Sequence, residues 1–107
     1  MKYIFLVSIL FMSNFSYAIT VTNKKVTSYR TFPEAQSVVS ARNHVVFNVE
    51  SGLSENCDAV YLPPTSTPSI SMVLAAKMAG LPVKLVYTEE ASPWHSRTCT
   101  VVEVSLD

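Results

Sequence analysis

One helix, punctuated at both ends and set between runs of β-branched residues, limits the folds open to this chain more than any other feature. Thr67 is placed to cap it, and Pro68 takes the first helical position, where a missing N–H costs nothing. Gly80 followed by Pro82 supplies the stop. Between them Ile70, Val73, Leu74, Met78 and Leu81 recur at offsets of three and four, which predicts one buried stripe, with Ser71 and Lys77 facing away. Met72 and Met78 read as core filler rather than as a soft-metal stripe.

Strands surround this helix. Val45, Phe47 and Val49 alternate with Val46, Asn48 and Glu50, the pattern of a half-buried strand over about His44 to Glu50. A second run, Cys57 to Leu62, stops at Pro63-Pro64, which cannot donate to a ladder. Val83 to Thr88 follows the helix, and Thr98 to Leu106 closes the chain. On that last strand Val102, Val104 and Leu106 share one face and Cys99 and Val101 the other, unless a bulge resets the register. From Ile19 to Asn43 the pattern gives a long first strand and a connecting loop or short strand. The succession is β-β-β-α-β-β, mainly β with one helix, as in a five-stranded Greek-key barrel of the OB type. A small α+β sandwich is the alternative.

Met1 to Ala18 reads as a cleaved export signal. Lys2 gives the positive start, Tyr3 to Met12 a short apolar run, and Ser16-Tyr17-Ala18 a small-residue cleavage site. A spanning helix would need about 20 apolar residues, and this run is interrupted at Ser13-Asn14. Cleavage would leave one small domain, residues 19–107, in a periplasmic or secreted setting, with no membrane contact expected afterwards. In that setting Cys57 and Cys99, the only two cysteines, are expected to form a disulfide. A redox pair would want C-x-x-C, and zinc would want about four ligands at short spacing, with only His44 and His95 to add. Neither a metal nor a cofactor is expected.

Eight Lys and Arg balance eight Asp and Glu, so no basic patch calls for nucleic acid. The segment Glu89-Glu90-Ala91-Ser92-Pro93-Trp94-His95-Ser96-Arg97 is the best site candidate, because it holds the only tryptophan beside a histidine and an arginine. An exposed Trp94 would stack on the apolar face of a sugar or base, while His95 and Arg97 would bond hydroxyls or an anion. The competing reading folds Trp94 back over the barrel mouth and leaves His95 and Arg97 solvated. Catalysis is not expected. Adjacent Glu89 and Glu90 point to opposite faces of a strand, and Ser96 beside His95 lacks a nucleophile elbow. Leu62 to Pro68 serves as a rigid lead-in to the helix rather than a polyproline ligand. Tyr61 and Tyr87 read as core or inter-strand packing.

The stretch Ser71-Met72-Val73-Leu74-Ala75-Ala76-Lys77-Met78-Ala79-Gly80-Leu81-Pro82-Val83, with the downstream Cys99, resembles small exported bacterial proteins of the subtilase-cytotoxin B-subunit-like group. That resemblance covers the second half of the chain as a pattern of element types. It implies an OB-fold with a disulfide; in the toxin subunits themselves the fold assembles as a ring of five and binds host glycans. No sugar-binding residue carries over onto residues 19–43. The expected function is therefore an exported, non-catalytic binding module for a glycan or a protein partner, with homo-oligomer assembly as a further expectation carried by the resemblance. The alternative is a periplasmic structural or accessory protein acting by association.

Overall fold

A computed structural model describes residues 17–106. The expected export segment falls outside that range apart from Tyr17 and Ala18. Among the described residues, five strands and one α-helix follow in the predicted order: β1 (Ala18–Thr31), β2 (Val45–Val49), β3 (Ala59–Leu62), α1 (Thr67–Ala79), β4 (Pro82–Ala91) and β5 (Thr98–Leu106), with a single 3-10 turn (Val39–Ala41) in the β1–β2 connection. Hydrogen bonding runs β1-β2-β3-β5-β4 and returns from β4 to β1, so the sheet closes on itself. Closure sets aside the open sandwich. All pairs are antiparallel except β3 with β5.

Closure depends on β1 serving two neighbours. Its first half pairs with β4 through Lys25 and its second half with β2 from Val26, and register shifts at Val21/Lys24 and Val26/Ser28 bend it between them. Asn23, with φ of 54°, sits in the first irregularity, a left-handed conformation that asparagine tolerates.

The core lies inside the ring. Phe47, Val60, Leu85, Tyr87 and Cys99 are almost fully excluded from solvent, and α1 adds Val73 and Ala76 while packing on β1 and β5. The Cys57–Cys99 disulfide is formed, as predicted, across 42 residues of sequence. It ties β5 to the segment that leads into β3.

Three expectations are corrected. The helix starts one residue early: Ser66 O accepts the Ile70 N–H, so Ser66 flanks the helix, Thr67 is its first residue and Pro68 its second. Its buried stripe is Ile70, Val73 and Ala76, because α1 touches the ring along one narrow line. Leu74, Met78 and Leu81 fall on the flank, 40%, 81% and 46% exposed, so Met78 is not core filler. On β5, Tyr87 pairs with Val101 and Val86 with Glu103, which bulges Val102 out of register. The reset puts Val104 on the same inner face as Cys99 and Val101, and leaves Val102 and Leu106 exposed.

The predicted stop is present. Gly80 has φ of 68°, and the N–H groups of Gly80 and Leu81 both donate to Ala76 O. A Cβ added at Gly80 would meet nothing within 4 Å, so any cost of substitution is conformational. Gly80→Ala is expected to lose about 1 kcal/mol in urea unfolding, and Gly80→Asn less. Equal losses for the two variants would contradict this account of the cap.

Candidate functional site

The alternation in β2 places Val45, Phe47 and Val49 inward, so Val46 faces out of the ring. Yet Val46 is only 3% exposed. Cross-strand register puts Arg30, Val46 and Tyr61 in one outward row over β1, β2 and β3. Something covers Val46 at the middle of that row, and it is the β4–β5 loop.

The loop is Ser92 to Arg97, shorter than the predicted segment because β4 continues to Ala91 past an irregularity that leaves Glu89 and Glu90 exposed. Ser92 and Pro93 make it turn. Ser92 is buried; its Oγ accepts the His95 N–H at 3.0 Å and donates to His95 O at 3.0 Å, and Pro93 at the next turn position has its own φ fixed by its ring. Ser92 N–H donates to Thr98 O at 2.7 Å, which closes the base. Trp94 is thereby laid, half-buried, over the outer face.

Three rings meet its indole. Phe32 and His44 face each other across the β1–β2 connection, where the Phe32 N–H donates to His44 O and the Asn43 N–H to Phe32 O. Trp94 packs edge-on against His44 at 4.9 Å, Tyr61 at 5.2 Å and Phe32 at 6.0 Å between ring centroids. His44 also lies 5.7 Å from Tyr61. Such contacts contribute roughly 0.5–1.5 kcal/mol each beyond area burial. Trp94 therefore both covers the outer face of β2 and β3 and forms one wall of an open cleft of about 400 Å³. Arg30, Phe32, Val46, Asp58, Trp94, His95 and Thr98 line it.

Of the predicted residues, Trp94 and His95 reach the cleft and Arg97 does not line it. Arg97 Nε bonds Asp58 Oδ2 at 2.9 Å and Nη2 bonds Glu55 O at 2.7 Å, while the Asp58 N–H donates to Arg97 O. The arginine is a latch between the loop and the lead-in to β3. Arg97 N–H also donates to His95 Nδ1 at 3.1 Å, which leaves the neutral ring's proton on Nε2, available to a ligand hydroxyl. On His44 the assignment is reversed, since Arg42 O can only accept and Nδ1 must donate.

The Arg97 hydrogen bond, with the charge of the guanidinium, holds the Asp58 carboxyl below its ordinary range. A depressed carboxylate pKa contributes stability that is present above the unfolded value, about 3.9, and lost as pH falls through the folded one. Acidification through that lowered folded-state value, below the ordinary carboxylate range, should therefore release the latch. Hydrogen exchange at residues 92–97 is expected to quicken there, and Asp58→Asn should show the fast exchange already at neutral pH. Both partners are exposed, so global stability should barely change in that variant. Unchanged loop exchange in Asp58→Asn would contradict the latch.

Sequence reasoning missed Arg30, Phe32, His44, Tyr61 and Asp58 as neighbours of Trp94. A valine on the polar side of β2 was the available signal that the outer face is covered. Among the described residues no group of three His, Cys, Asp or Glu is placed to hold a metal ion. No helix among them is long and apolar enough to cross a membrane. No protein-family profile, curated protein or solved structure matches the chain.

Proposed function

We propose that this chain is an exported, non-catalytic binding module that takes a ring-shaped ligand, a glycan in the first instance, in the cleft beside Trp94. The observation that carries the reading is the single tryptophan held over the outer face of β2 and β3 by three other rings, with open space beside it. A closed ring of this order presents its β2–β3 face and its β1–β2 and β4–β5 loops to ligands. Aromatic faces bind the apolar side of sugars, and the exposed His95 Nε2 supplies a polar contact at the rim. Export is supported by the disulfide, a bond that persists in oxidising compartments.

A second reading has its own observation. Leu74 and Met78 on α1, Leu81 just past its end, and Leu106, which pairs with Val83 near the start of β4, leave apolar side chains exposed at the helix end of the ring. That would suit an accessory protein acting by association, with itself or another chain.

A glycan array followed by fluorescence titration tests the first reading. Trp94 is the only tryptophan, so its emission reports this cleft alone. Array-positive glycans are expected to shift that emission saturably. Array-positive glycans that leave it unchanged would move the site elsewhere, and an array without positives would contradict the glycan reading.

A further inference from the structure

Arg30 stands out on the cleft wall. It is exposed on β1, it pairs through the backbone with Val46 on the cleft floor, and among the described residues its side chain has no hydrogen bond or ion pair. The one carboxylate lining the cleft, Asp58, is already held by Arg97. The cleft wall thus presents one carboxylate already paired from outside by Arg97 and, among the described residues, one guanidinium without a protein partner, alongside Phe32 and Trp94. A guanidinium fork matches a carboxylate or other oxyanion in a bidentate way, and its charge is permanent. A neutral ligand would use the rings and leave the fork idle.

We propose that the cleft selects ligands carrying an anionic substituent on a ring, and that Arg30 is the residue that reads the anion. The inference rests on the binding reading above and narrows its ligand class. The ring lies against Trp94 and Phe32, and the anion reaches across to Arg30, with Asp58 kept from repelling it by Arg97.

The test titrates the whole protein with three probes while Trp94 emission is read: glucuronate as ring with carboxylate, glucose as ring alone, and inorganic sulfate as anion alone. Glucuronate is expected to bind at least about tenfold more tightly than glucose or sulfate, as one charge-assisted bond to a ligand implies. Arg30→Gln should remove that preference and its salt dependence, and Arg30→Lys should restore part of it. Arg30 is exposed, so both variants should keep the wild-type circular dichroism. Equal binding of glucose and glucuronate would overturn the anion reading and leave the binding reading standing. Sulfate binding as tightly as glucuronate would overturn it too, because the rings would then contribute nothing. Silence with all three probes would sink both readings.

Discussion

Phe47→Ala is expected to destabilise the domain by about 3–5 kcal/mol. Phe47 is wholly buried at the centre of β2, opposite Tyr29 on β1 and Val60 on β3. Truncation opens a void that a ring of short strands cannot collapse without breaking ladder bonds, so the transfer loss and the cavity loss add. Thermal unfolding should shift down by roughly 15 °C or more for a domain of this size. The next residue makes the control. Val46→Ala, on the outer face, should lose only about 1–2 kcal/mol and should alter Trp94 emission. Similar losses at the two positions would contradict the division into an inner core and a covered outer face.

Opening the disulfide is the second large effect. The bridge closes 42 residues of sequence, including β3, α1 and β4, and in the chain-entropy treatment a loop of that length restricts the unfolded state by about 4 kcal/mol. Small domains have a total margin of only roughly 5–15 kcal/mol, so the staple is a large share of it. Cys99 is fully buried and Cys57 nearly so, so a Cys57→Ala, Cys99→Ala double variant avoids leaving a lone thiol in the core. That variant should melt about 20 °C below the oxidised protein by calorimetry. A melting point within a few degrees of wild type would show that the ring is held by packing alone.

How much of this was legible depended on how local the determinants are. The α1 stop, the inward set of β2 and the span of β5 follow from turn chemistry and two-residue alternation, and they were readable. Cysteine count in an export setting gave the bridge. Face assignment on β5 was not readable, because the bulge at Val102 arises from pairing with β4 and has no mark in β5 itself. The α1 stripe was misread for a related reason. Periodicity says that some face is buried, whereas the width of the face is set by how narrowly the helix meets the ring. Trp94 and His95 could be singled out by composition, but their setting could not. Phe32, His44 and Tyr61 reach Trp94 only through the closure of β1 on β2 and β2 on β3, and the Arg97–Asp58 latch joins two loops by the same closure. The exposed residues of α1 mark the opposite case, a feature visible in sequence whose burial the fold does not supply.

The most direct test of the account is an amide NMR titration of the oxidised protein with glucuronate, because it locates contact without assuming where it occurs. The largest shifts should fall on the Trp94 indole N–H, His95, Thr98 and Phe32, with the α1 amides unmoved. Shifts centred instead on Leu74, Met78 and Leu81 would contradict the cleft as the functional site and transfer that role to the exposed end of the helix.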